Sequence, residues 1–335
     1  MPVKPRLLSI DALRAFSIIG VMVIHSLALF LGPSLNNTIW NYLEFVVIPF
    51  VACSGYVTWL SFVSGNKQRH IVDWYVKRLF RLYIPFAAYM VIYAGLAYTL
   101  PTIVSGRGII LAPKFFLTSL LLSGGADVGW LPLLFLQLSI LTPILIWMTR
   151  DSKRYYIGQG LLGLLALGMV FIPIPTTYSR VFAWLPWSFI YLLGMKVAML
   201  EQNNKLRLAK VALASVGSAG LWIMLQYILH AKGMLLTFTL HKYPPDLFYL
   251  SYGVAVTGAL LWSIKQLEIF LRPVESFITF VSQKSYGMFL THLIVLDFLT
   301  TSFKGITVIP TILGSVVLTF TIVWLWGLVG SKKVS

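Results

Sequence analysis

Sparsely charged apolar runs of helix length recur along almost the whole chain, and no feature constrains its fold more. They lie near residues 11–32, 40–62, 82–100, 129–149, 157–173, 182–199, 209–229, 247–264, 285–301 and 309–329. Each is about 17–23 residues long, the length that carries an α-helix through a hydrocarbon core of about 30 Å. Inside a bilayer each backbone N–H and C=O must be satisfied within the segment, which makes such runs helices. With 58% apolar and only 11% charged residues among 335, a soluble globular protein is excluded. The expected fold class is all-α: a polytopic helical membrane protein of about ten transmembrane helices, forming one integral-membrane domain over residues 1–335.

An eleventh run, 109–123, is shorter, begins beside Arg107 and contains Pro113 and Lys114. Whether it crosses sets the direction of every later span, and loop charge arbitrates. If it does not cross and the amino terminus is cytoplasmic, the outside loops hold only Arg107, Lys114, Arg180, Lys232, Lys242 and Lys304. Every other Lys and Arg falls inside, save Arg14 within the first span. A crossing would destroy that bias. The expectation is ten spans, both termini cytoplasmic, and 109–123 as a short interfacial or re-entrant helix. The same clustering explains the net charge of +16 as cytoplasmic loops, with the lipid bilayer and no nucleic acid as partner. Lys4 and Arg6 precede the first apolar run as in a signal peptide, but Asp11 and Arg14 interrupt that run and no clear cleavage pattern follows, so it is expected to be retained. Cys53 is the only cysteine, which rules out an intramolecular disulfide and a Cys-based metal site.

Chemistry must reside within the bundle or at its edges. Arg14 and His25 are eleven residues apart, three helical turns with almost nothing left over, so they share one helix face about 16 Å apart. Ionisable groups inside a span cost several kcal/mol and mark function more often than packing. Asp11 is three residues from Arg14 and can pair with it. His25 lies about 20 Å beyond Asp11, in the outer half of the core, where it needs a partner or a watery cavity. Glu44, entering the second span at a similar level, is the nearest carboxylate. A Glu–His contact would fix the imidazole tautomer and raise its basicity, although a glutamate at a span end is often only solvated.

Other residues carry weaker signals. Ser54 and Gly55 permit a bend or a close helix contact. Arg78 and Arg81 share a helix face at the cytoplasmic boundary, where two guanidiniums suit a phosphate or pyrophosphate; contact with anionic lipid headgroups is the plainer reading of the spacing. Trp130 opens a span, usually an interfacial anchor. His292 is a second intramembrane histidine, with Ser285 seven residues earlier on nearly the same face and Asp297 nearer the outer end; a core histidine bonded to a serine or a backbone carbonyl is an equal reading. His70, His230 and His241 fall in loops and look unremarkable. HExxH, Walker and GxSxG motifs are absent from the sequence, leaving metal, nucleotide and serine-hydrolase sites without support.

In series, these residues resemble the acyltransferase-3 family of multi-span membrane acyltransferases. IDALRAF…VIH resembles the family's opening, whose hallmark is an arginine and a histidine with ten residues between them, here Arg14 and His25. Arg78-x-x-Arg81 before Tyr-x-Pro, VGWLPLLFL around Trp130, and SYGMFLTH with Ser285, Tyr286 and His292 resemble later family segments. PFVACSGY, containing Ser54, is a divergent form of a phenylalanine-rich one. The resemblance implies transfer of an acyl group, often acetyl, from cytoplasmic acyl-CoA to a hydroxyl of an envelope sugar or polysaccharide, in a bacterial plasma membrane. It implies no permanently bound cofactor; acyl-CoA is the donor substrate. His25 is then the general base or a transient acyl carrier, with Arg14 and Glu44 beside it. Arg78, Arg81 and Arg14 face the CoA phosphates, while Ser54, Trp130, Ser285, Tyr286 and His292 line the substrate path. With no hydrolase-like domain appended, the chain looks like a stand-alone member, similar also to the branch assigned to export of, or succinyl transfer to, poly-N-acetylglucosamine. The alternatives are a polysaccharide or lipid-linked glycan exporter or flippase, and a non-catalytic assembly subunit. Oligomeric state is not readable.

Overall fold

In a computed structural model of the chain, the described residues are 7–32, 35–63, 71–100, 102–104, 107–172, 174 and 176–331. Lys4, Arg6, Lys67, Arg69, His70, Lys332 and Lys333, used above for loop charge or noted as loop residues, lie outside them. The apolar runs become helices α1 (Leu8–Ala28), α2 (Leu35–Leu43), α3 (Val47–Val63), α4 (Ile71–Thr99), α5 (Arg107–Ile110), α6 (Pro113–Leu120), α7 (Trp130–Arg150) and α8 (Ser152–Phe171). The remainder are α9 (Thr176–Phe182), α10 (Trp184–Gln202), α11 (Leu208–Ala231), α12 (Leu247–Gln266), α13 (Glu268–Leu271), α14 (Glu275–Ser302) and α15 (Val308–Ser331). No strand occurs among the described residues; a single bridge joins Lys242 and Pro245.

Nine of the described helices are long and apolar enough to cross a membrane. The tenth expected span lies in α14, 28 residues long but outside that set. It carries Glu275 and Lys284, which are exposed, and His292 and Asp297, and it packs against α1, α4 and α15, which leave His292 buried and Asp297 half-buried.

The direction of α14 decides the status of 109–123. Ser282 donates to Asp11 at 2.5 Å, and ten residues further along α14 His292 meets His25, fourteen residues beyond Asp11. The two helices therefore run parallel. Tyr286 bonded to the Leu82 carbonyl and Tyr93 to Asp297 give α4 the same direction. Seven long helices separate α1 from α14 (α3, α4, α7, α8, α10, α11 and α12), so the two are parallel only if nothing else crosses between them. α6 is eight residues long, about 12 Å, and the Tyr83 hydroxyl holds its end through the Leu120 carbonyl at 3.0 Å. The short segment packs along α4 without crossing, as expected.

Small residues set the closest helix contact. A Cβ on Gly55 of α3 would lie 2.1 Å from the Tyr191 carbonyl oxygen of α10, and one on Gly194 would lie 2.0 Å from that of Ala52. The two backbones touch directly, so at Gly55 the packing reading holds.

Candidate active site

The chamber is assembled near the end of the bundle opposite the start of α1, here called the far face. His25 sits in the last turn of α1. Ile18, Val21, Val47, Phe50, Trp130, Leu131, Lys242, Tyr243 and Phe289 line a narrow cavity with it. The cavity holds about 30 Å³, room for roughly two waters or a pair of reacting groups. Phe50 also carries the Arg14 guanidinium 5.4 Å above its ring, so Arg14 and His25 are laid out along one face as their spacing requires.

The partner of His25 is a histidine. Its Nδ1 lies 2.8 Å from His292 Nε2, and His292 Nδ1 lies 3.1 Å from the carbonyl oxygen of Met288. Of the serine and the backbone carbonyl weighed as partners for His292, it bonds the carbonyl. The Ser285 hydroxyl is buried with no hydrogen-bond partner among the described residues. Glu44 goes elsewhere: its carboxylate accepts from the Lys242 ammonium, and its backbone carbonyl accepts from the Tyr249 hydroxyl at 2.8 Å.

Lys242 arrives on a turn from the far face. A 3₁₀ turn, Phe238–His241, leads into Lys242, Tyr243, Pro244 and Pro245, with a cis Tyr243–Pro244 peptide. Asp246 then caps α12 by accepting from the Tyr249 backbone N–H, the role a short acidic side chain fills best at a helix start. His241 bonds Asp246 on one nitrogen and the Leu235 carbonyl on the other, fixing the turn from within. Burial opposes a charge on Lys242, yet Tyr243 and Glu44 carry its pKa above the ordinary lysine value. Burial likewise opposes His241, but the Asp246 hydrogen bond and charge outweigh it and raise the imidazole. Sequence reasoning passed over His241, Lys242, Tyr243 and Asp246 as a plain loop. The available signal was KYPPD itself, a rigid turn ending in an N-cap residue, with a cation at its tip.

Trp130 forms part of the chamber wall beyond any anchoring role. It packs edge-on to Tyr243 at 5.3 Å and stacks on Trp187 at 6.3 Å. Tyr286 spends its hydroxyl on Leu82 of α4, and half-buried Ser54 is not among the cavity residues.

The two arginines expected to act together are divided. Arg78 turns inward: Nε donates to Ser139 at 2.6 Å, Nη2 to the Tyr191 hydroxyl at 3.2 Å, and the guanidinium lies over Trp74. The Tyr191 hydroxyl in turn donates to Thr58 Oγ1 at 2.6 Å. Ser139 and Tyr191 each stand eleven residues from the near-face ends of α7 and α10, about 16 Å inside, which is too deep for a headgroup contact. Arg81 is exposed.

Together these contacts give a basic interior on the side where α1 begins, an imidazole pair deeper in, and a cation-bearing turn over the far end. Neither the comparison with curated proteins nor that with solved structures returns a match. The acyltransferase-3 family model, an acyltransferase domain, matches residues 7–328. The chain belongs to the acyltransferase-3 family and is a multi-pass membrane acyltransferase.

Proposed function

We propose that this acyltransferase takes its acyl group from acyl-CoA docked at the face where α1 begins, the cytoplasmic one, and passes it to a hydroxyl of a cell-envelope carbohydrate reaching the chamber from the far side, across a bacterial plasma membrane with both termini inside. The observation that carries this reading is the placing of a small chamber holding His25 about 16 Å along α1 from Arg14, with the inward-turned Arg78 also on the near side. Guanidiniums match phosphate oxygens in charge and geometry, and an extended pantetheine arm suits the distance from Arg14 to His25.

In this reading His25 is the general base. It takes the proton of the acceptor hydroxyl as the oxygen attacks the thioester carbonyl. The new C–O bond forms, the tetrahedral oxyanion collapses, the C–S bond breaks, and the proton returns from the imidazolium to the departing CoA thiolate. Lys242 at the chamber wall places positive charge near the developing oxyanion, where a fixed charge in a dry site is most effective. Arg81, at the surface, meets the outer phosphates of the donor. The chamber volume suits a small acyl group such as acetyl.

Proteoliposomes of uniform orientation test the sidedness. With acyl-CoA on the face where α1 begins and envelope glycan on the other, acylated glycan is expected. Product formed only when donor and acceptor share one side would overturn the proposal.

A further inference from the structure

The hydrogen bonds of the two histidines, His292 buried and His25 half-buried, can be followed proton by proton. A backbone carbonyl only accepts, so the 3.1 Å contact to Met288 places a proton on Nδ1 of His292. A neutral imidazole carries one proton, which leaves Nε2 of His292 bare. That bare nitrogen lies 2.8 Å from Nδ1 of His25, which must therefore donate. In a neutral His25 the proton is then committed to Nδ1, and Nε2 is left as a lone pair on the ring that lines the chamber.

Ring geometry agrees with a true hydrogen bond. The planes are 15° apart and the centroids 5.1 Å apart, which is the nitrogen–nitrogen distance plus about one ring radius on each side. The rings thus meet edge to edge, with the N–H of one aimed along the in-plane lone pair of the other. His292 is fully buried, at 0% exposure, and its ring is fastened to its own helix one turn back. The Asp11–Ser282 bond clamps the same two helices further toward the near face, so the pair is held at both ends.

We infer that His292 is a positioning residue: it locks His25 into the Nδ1–H tautomer and so presents a bare Nε2 to the acceptor hydroxyl. The arrangement is a base oriented by a second group and that group by a third, with an imidazole standing where a carboxylate more often does. The inference rests on reading His25 as the base. It reassigns His292 from the substrate path to the support of the base. It also gives the pair a use that packing alone does not, because the opposite proton arrangement would offer the chamber an N–H donor in place of a base.

Two measurements test it, and they fail separately. Nitrogen-15 spectra of histidine-labelled full-length protein in micelles, assigned with His25→Ala and His292→Gln, report each tautomer without turnover. Protons on Nδ1 of both rings are expected; a proton on Nε2 of His25 would overturn the inference even if the enzyme is active. Kinetically, His292→Leu keeps the bulk but not the acceptor. It is expected to lower kcat for CoA release by about 10²- to 10⁴-fold with KM for acyl-CoA unchanged. His292→Gln, whose Oε1 can accept from His25 Nδ1, is expected to recover most of that loss. Equal kcat in wild type and His292→Leu would overturn the positioning role. Loss of CoA release from the wild type itself, with the Nδ1–H pattern intact, would strike the base reading and leave the tautomer assignment standing.

Discussion

The ammonium of Lys242 and the carboxylate of Glu44, 198 residues apart in the chain, meet in a buried ion pair at the wall of the His25 chamber. Lys242 is only 4% exposed, so each charge depends on the other. Removing one member of a buried pair strands its partner and typically costs about 3–5 kcal/mol. Lys242→Met is therefore expected to lose roughly that much stability in thermal or denaturant unfolding. Lys242→Met with Glu44→Gln, which leaves no stranded charge, should recover most of it. A double variant no more stable than the single one would show that the pair is not what holds the turn.

The His241–Asp246 lock gives the same turn a pH dependence. His241 is raised above its ordinary value of 6.5 because Asp246 outweighs the cost of burial. Its contribution is full below that ordinary value and is lost as pH rises through the raised folded value. Burial raises Asp246 as well, so the folded turn again holds protons that the unfolded chain releases, and the sign is unchanged. Thermal stability is expected to fall as pH rises above the ordinary histidine value, and His241→Asn should flatten the slope. An identical slope in the variant would remove His241 as its source.

Arg78 and Arg81 should separate on substitution by the work each does. Arg78→Ala leaves Ser139 and Tyr191 without their donor and is expected to raise KM for acyl-CoA by about tenfold or more, the scale of one charge-assisted bond. Arg78→Lys should not restore it, because a point charge cannot serve both hydroxyls in that geometry. Arg81→Ala, at the exposed position, should give a smaller change that fades with salt. Titrating initial rates against acyl-CoA at two ionic strengths distinguishes the pair; equal, salt-sensitive effects would return both to the surface role.

Gly55 offers a control on the scaffold. A methyl group there would stand 2.1 Å from a backbone oxygen, with no flexible side chain able to yield. Gly55→Ala should destabilise by about 1–3 kcal/mol or more. Gly217→Ala in α11, where nothing lies within 4 Å, should be neutral or stabilising by up to about 1 kcal/mol. Unfolding midpoints of the two variants decide it, and similar values would contradict the backbone contact.

Much of the bundle was legible because hydropathy acts locally: a run that must cross an oily layer announces itself without its neighbours. The non-crossing of 109–123 was legible from loop charge, and the parallel α1 and α14 agree with it independently. What could not be read was pairing at a distance. His25 and His292 are 267 residues apart, and no local rule favours a histidine over Glu44 as the partner, since both lie at a suitable depth. Glu44 was claimed instead by a lysine in a loop that looked solvated, because burial of that loop depends on helices far away in sequence. Arg78 and Arg81 share a helix face by spacing, but only the packing of α7 and α10 determines which of them has hydroxyls to meet.

The most direct measurement is release of CoA thiol by purified protein supplied with acyl-CoA and envelope glycan, wild type beside His25→Ala. The expected result is turnover by the wild type and a loss of about 10²- to 10⁴-fold in the variant, with unchanged thermal unfolding. Turnover by a folded His25→Ala protein at the wild-type rate would contradict His25 as the base, and no release from the wild type with acceptor present would contradict acyl-CoA as the donor.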